Sequence, residues 1–120
     1  MPWVIGYDES TRILTITTSD FYDSTVARQM LGELKHALTH HGAHRVLIDQ
    51  RKAEIRLTFS DLINRTDLYK AIGIPPSTKT ALVFRVIVDD YRFLEDVCVN
   101  RGYQLKIFDN FENAVRWLSA

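Results

Sequence analysis

The chain has 120 residues, 46% of them hydrophobic, and its 15 basic and 15 acidic side chains cancel to a formal net charge of zero. That length suits one domain spanning 1–120 and is too short for two of ordinary size. A balanced charge argues against binding to nucleic acid or to acidic membranes, both of which need a basic excess or a basic face.

One cysteine, Cys98, allows no intramolecular disulfide and fits a buried role in a reducing compartment. The opening run Met1-Pro2-Trp3-Val4-Ile5-Gly6-Tyr7 lacks the basic region and long apolar stretch of a secretory signal. No apolar stretch nears the ~20 residues that span a bilayer. The expectation is a cytoplasmic protein without membrane insertion.

Two short β-prone runs come first, Trp3 to Tyr7 and Ile13 to Thr17. The polar turn Asp8-Glu9-Ser10-Thr11 between them predicts a hairpin. Residues 20–41 then take a helical period, with Val26, Ala27, Met30, Leu31, Leu34, Ala37 and Leu38 on one stripe. Asp20, Asp23 or Ser24 can cap its start, and Gly42 sits where a left-handed terminal residue belongs. Arg45 to Asp49 is apolar through its middle without alternation, which suggests a strand covered on both faces. Gln50 to Arg56 reads as a charged connection.

From Thr58-Phe59-Ser60-Asp61 onward, Leu62, Ile63, Thr66, Tyr69 and Ile72 repeat at helical spacing up to Gly73. Pro75 and Pro76 break the run. Thr80 to Val86 is the next strand. Asp89 or Asp90 opens a helix with a buried stripe of Phe93, Leu94, Val97 and Cys98, and Gly102 ends it. Leu105 to Phe108 is the last strand, followed by a helix for which Asp109 and Glu112 have capping-box spacing. The predicted order is β-β-α-β-α-β-α-β-α. The helical crossovers make the later strands parallel, and the hairpin adds an antiparallel edge.

This order resembles that of a STAS domain, and several strings resemble the SpoIIAA-like branch of small bacterial proteins. The strings are Arg45-Val46-Leu47-Ile48-Asp49, Lys79-Thr80-Ala81-Leu82-Val83, Arg101 through Asp109, and Ala114-Val115-Arg116-Trp117-Leu118. The resemblance spans nearly the whole chain and implies an α/β fold, a mixed sheet with helices packed against it. It also implies a non-enzymatic regulatory or protein-interaction module. In anti-sigma-factor antagonists of that class, a serine in an Asp-Ser-Ser-Gly motif is phosphorylated at the start of the helix after the third strand. The matching stretch here is Leu57-Thr58-Phe59-Ser60-Asp61-Leu62, so the motif itself is missing.

Ser60 and Thr58 remain candidate phospho-acceptors, because a helix N-terminus favours a phosphate. An N-cap is the plainer role for either. Asp49, Asp89, Asp90 and Asp109 end strands, where α/β sheets bind ligands. Capping accounts for all but Asp49, for which a turn or an ion pair with Arg51 is the simplest role. His36, His40, His41 and His44 cluster at a helix end, where a surface role beside the helix dipole is favoured over metal binding. Arg51, Lys52 and Arg56 form a basic run interleaved with Glu54. The second helix carries more apolar surface (Phe59, Leu62, Ile63, Leu68, Tyr69, Ile72) than one stripe needs, which suggests a homodimer interface or a pocket for a small apolar or lipid-like ligand. Asp49, Arg51, Lys52, Arg56, Phe59, Leu62, Ile63 and Tyr69 form the expected partner or ligand surface. No nucleophile, base and orienting group assemble locally, so no catalytic residue, cofactor or metal is expected.

Overall fold

The computed structural model describes residues 2–120. Five strands form one sheet in the order β1-β2-β3-β4-β5: β1 (Trp3–Asp8), β2 (Ile13–Tyr22), β3 (Arg45–Ile55), β4 (Lys79–Val83) and β5 (Gln104–Phe108). β1 and β2 form the antiparallel hairpin, and every later neighbour is parallel. The hairpin turn is held by Asp8, whose carboxylate accepts from the Ser10 N–H at 2.8 Å and the Ser10 hydroxyl at 2.7 Å.

The helices are α1 (Ser24–His41), α2 (Phe59–Ile63), α3 (Arg65–Ile72), α4 (Asp89–Asn100) and α5 (Phe111–Ser119). Parallel strands added in one direction, each through a right-handed crossover, put their connecting helices on the same face. α1, α2, α3 and α4 therefore share one face. There Met30, Leu31, Leu34, Leu62, Tyr69, Leu94 and Cys98 pack against Leu14, Ile16, Val46, Ile48, Leu82 and Leu105. α5 follows the last strand and covers the other face alone, seating Ala114 and Leu118 on Ile13, Leu47, Ala81 and Val83.

Several boundaries differ from the sequence expectation. β2 continues to Tyr22, so α1 begins at Ser24 with Asp23 as its cap, the Asp23 carboxylate accepting from the Val26 N–H at 2.9 Å. The segment Gln50 to Arg56, expected as a connection, is strand as far as Ile55. It pairs with the extension of β2, Ser19 opposite Lys52 and Tyr22 opposite Ile55, past a register shift between Thr17 and Ser19. The expected single helix after Thr58 breaks at Asn64 into α2 and α3. β4 stops at Val83, where the chain turns away. Val88 rather than Asp89 or Asp90 is the N-cap of α4, and the two aspartates occupy its first turn. Asn110, not Asp109, caps α5, its side chain accepting from the Asn113 N–H at 2.9 Å. Phe93 stands out from the α4 stripe and is exposed, whereas Leu94 and Cys98 are buried.

Candidate functional site

The C-terminal ends of parallel strands are where an open α/β sheet presents its loops to a ligand or partner. Here that end is built by the outer half of β3, the extension of β2, α2, and the loop from Phe84 to Val88. Asp49 marks where β3 parts from β4, since its register partner Val83 is the last residue of β4. The Arg51 guanidinium meets both oxygens of Asp49, Nε to Oδ1 at 2.9 Å and an η-nitrogen to Oδ2 at 2.8 Å, and the Arg51 N–H donates to Oδ1 at 3.1 Å. Burial of Asp49 opposes its ionisation. The Arg51 hydrogen bonds and charge, with Lys52 behind them, outweigh that and hold the carboxyl below its ordinary value. Further along the strand Arg56 pairs with Glu54 and lies over the ring of Phe21 at 4.9 Å.

α2 begins with a reciprocal cap. The Thr58 hydroxyl accepts from the Asp61 N–H at 3.1 Å, and the Asp61 carboxylate accepts from the Thr58 N–H at 2.9 Å. Ser60 is the second residue of α2 and is exposed, and its hydroxyl accepts from the Asn64 amide at 3.2 Å. Phe59 is exposed and stacks on Phe93 of α4, ring centres 5.0 Å apart. Leu62 and Tyr69 turn inward and Ile63 is half-buried, so the expected surface divides into an outer rim and an inner wall.

That inner wall encloses a group of polar side chains of which the sequence reading named only Tyr69. Tyr22, Gln50, Arg65, Tyr69 and Tyr91 line a cavity of about 20 Å³ together with Leu31, Ile48, Leu57, Leu62, Leu82, Phe84 and Leu94. Arg65 is only 5% exposed and Gln50 6%. The Arg65 Nε and the Gln50 Oε1 are buried without a hydrogen-bond partner. Among the described residues the ion pairs are Arg51–Asp49 and Arg56–Glu54, so no carboxylate comes within 4.0 Å of the Arg65 guanidinium. A guanidinium cannot shed its charge, and burying one unpaired costs on the order of several kcal/mol. Arg65 is also the first residue of α3, beside the positive end of that helix, and Asn64 supplies no side-chain cap. Burial raises the Tyr22 phenol above its ordinary value, partly offset by the nearby Arg65 charge and by Gln50. Burial likewise raises Tyr69.

The signal for Arg65 was present in the spacing. Leu62, Arg65 and Tyr69 fall at intervals of three and four, which places the arginine on the inward stripe even though the helix is interrupted between them.

The remaining candidates lie apart from this end or do not converge. His41 stacks on Tyr7 with ring centres 4.2 Å apart and meets His40 edge-on at 4.8 Å, while His36 lies further back on α1. His44 is exposed just before β3. Among the described residues no three His, Cys, Asp or Glu side chains come together as a metal centre needs. Cys98 is fully buried, and burial pushes its thiol up to about 11. No helix among the described residues is long and apolar enough to cross a membrane.

No protein-family model matches the sequence, and no curated protein matches it. Solved structures do match the fold. An uncharacterized protein of the DUF3478 family with a SpoIIAA-like fold, from Shewanella loihica, shares 18% identity at a TM-score of 0.61, covering 97% of this chain and 93% of its own. An anti-sigma factor antagonist from Mycobacterium paratuberculosis shares 14% identity at a TM-score of 0.62, covering 98% and 93%. The unphosphorylated anti-sigma factor antagonist SpoIIAA shares 11% identity at a TM-score of 0.56, covering 96% of each chain. The chain therefore has the SpoIIAA-like STAS fold. The Bacillus cell fate determinant SpoIIAA, which has been solved in a phosphorylated form, shares that fold at 9% identity.

Proposed function

We propose that this chain is a non-enzymatic regulatory module that works by binding another protein through the rim at the C-terminal end of its sheet. One observation carries the reading. Of the large apolar side chains left exposed, Phe21, Phe59, Val86, Val88 and Phe93 all belong to elements at that end, while Val4 and Val99 lie elsewhere. Scattered exposed apolar residues need no explanation, but a group of them rimmed by charges marks a contact surface. The charges here are Arg51, Lys52, Glu54 and Arg56. The shared fold of anti-sigma factor antagonists supports a regulatory role for such a surface.

The test compares the intact chain with the triple variant Phe59→Ser, Val86→Ser, Phe93→Ser as baits in native lysate, read by quantitative mass spectrometry. Proteins enriched about ten-fold or more on the intact chain and lost from the variant support the reading. Equal capture by both baits, or a measured turnover by the chain, overturns it. If a second copy of the chain is the occupant, sedimentation velocity shows a dimer that the triple variant dissociates.

A second reading is a phospho-switch on this same rim, favoured at Ser60 because its hydroxyl accepts only from an exposed side-chain amide whereas that of Thr58 holds a backbone N–H of the cap. Phosphopeptide mapping of the native protein checks it. A chain unmodified at both residues across growth conditions removes this reading.

A further inference from the structure

We infer that the cavity around Arg65 is a binding site for a small organic carboxylate. The inference goes beyond the docking rim and does not depend on it. Arg65 carries a fixed positive charge, is 5% exposed, and leaves Nε unpartnered; Gln50, on the facing strand β3, leaves Oε1 unpartnered on the same cavity. A water molecule in the space would satisfy hydrogen bonds but leave the charge uncompensated. A carboxylate supplies the missing negative charge and accepts from Nε, but it has no hydrogen for the Gln50 Oε1 as placed, so the amide must turn to meet it. The oxygen that enters accepts from the Arg65 Nε–H in a charge-assisted hydrogen bond. The Tyr22 hydroxyl and the Gln50 amide, turned about its last torsion to present N–H, are the further donors.

Size and surroundings set the class. About 20 Å³ holds one water-sized group, so a carboxylate enters by one oxygen only, and the bulkier tetrahedral head of a phosphate stays out. The rest of the wall is mostly aliphatic and aromatic, which favours a single charge on the ligand. Gln50, Phe84 and Tyr91 also wall an outer groove of about 270 Å³ between the outer half of β3 and the loop before α4. The ligand's short chain runs past the half-buried Tyr91 into that groove. Along the groove Arg51 is held by Asp49 and Glu54 by Arg56, which leaves Arg85 to draw an approaching anion to its mouth. On its other side Arg65 borders the α1–α3 groove, where Asp61 and Asp67 lie beyond ion-pair distance. Asp61 is engaged in the α2 cap, so Asp67 is the internal competitor for the guanidinium.

The experiment uses the intact chain, labelled with ¹⁵N, in a buffer free of carboxylates. The Arg65 Nε–H resonance is followed while sodium formate, acetate, glycolate or butyrate is added at constant ionic strength, with chloride and phosphate as controls. The expected result is a saturable shift with at least one carboxylate and a ligand-dependent rise in melting temperature. Arg65→Met abolishes both and melts no lower than the parent without ligand, because it removes an unpaired buried charge. Gln50→Leu, which keeps the charge, weakens binding about ten-fold. The inference fails if no carboxylate gives a saturable shift, if Arg65→Met binds as well as the parent, or if chloride or phosphate matches the carboxylates. It fails too if Asp67→Asn alone moves the resonance and no carboxylate does, since Arg65 is then paired within the chain. The double variant Phe59→Ser, Phe93→Ser, which touches neither the cavity nor the outer groove, leaves the titration unchanged, so loss of one proposal does not carry the other with it.

Discussion

Asp49 keeps its charge although it is nearly out of contact with water, because Arg51 grips both of its oxygens and the Arg51 N–H adds a third hydrogen bond. A carboxyl whose folded pKa lies below its ordinary 3.8 binds fewer protons than in the unfolded chain over the interval between the two values. Its contribution to stability is thus full above the unfolded value and is lost as pH falls through the folded one. Asp49→Asn is expected to cost about 1 kcal/mol at neutral pH and to flatten the acid limb of stability. Urea unfolding of parent and variant at pH 7 and at pH 3 measures both effects, and the gap between them should narrow at the lower pH. Cys98 makes a contrasting case. Its thiol is buried and pushed up to about 11, so a disulfide reagent at pH 8 should react slowly with the native chain and rapidly once urea opens it. The burial of Cys98 was legible from its place on an apolar stripe. The company kept by Arg65 was not, because a charged residue at stripe spacing gains its meaning only when β3 brings Gln50 opposite it.

The reciprocal cap on α2 gives Thr58 and Ser60 separable roles at the scale of the element. Thr58→Ala removes a hydroxyl bonded to the Asp61 N–H and should cost about 1 kcal/mol of stability. Ser60→Ala touches only an exposed side-chain contact and should change stability by less than about 0.5 kcal/mol. Thermal denaturation of the two variants side by side tests the difference. The capping signal was readable in the sequence as a helix start, and α1 was readable at its Gly42 terminus, φ 61°, while its start stayed open among Asp20, Asp23 and Ser24. The lengths of β2 and β3 were not. Ser19, Asp20, Lys52 and Glu54 make no apolar run, because the two-stranded ribbon they form beyond β4 is largely exposed, and Asp20 takes φ 57° within it. The break at Asn64 was also hidden, since the apolar period continues across it.

Considered whole, the sheet has unequal covers. Four helices share one face, and only α5 holds the other, through Ala114 and Leu118, with Lys79 adding a bond to the Trp117 carbonyl and lying over the Trp117 ring. Leu34→Ala in the large core should cost about 2–5 kcal/mol. Leu118→Ala should cost a similar amount, but hydrogen exchange should locate most of its effect in α5 and the strand faces beneath it. Uniform loss of protection in both variants would mean that the two faces melt as one unit. The architecture was legible because alternation of strand and helix fixes parallel pairing, and parallel pairing in sequence order fixes which face each helix takes. The functional end was legible only as a region, since its rim and its inner wall come from segments far apart in the chain.

The ribbon beyond β4 has one further consequence. Residues 50–55 of β3 bond to β2 on one side, and β4 has already ended on the other. This leaves a short run of backbone with no strand beside it, its Arg51 N–H already taken by Asp49, a template on which a strand from another chain could align. Arg51, Lys52 and Glu54 stand along that run and make such pairing costly, the usual guard of an open edge against self-templated growth. Replacing Lys52 and Glu54 with threonine should leave the monomer folded and raise its tendency to form cross-β aggregates, which thioflavin fluorescence and light scattering over time would register.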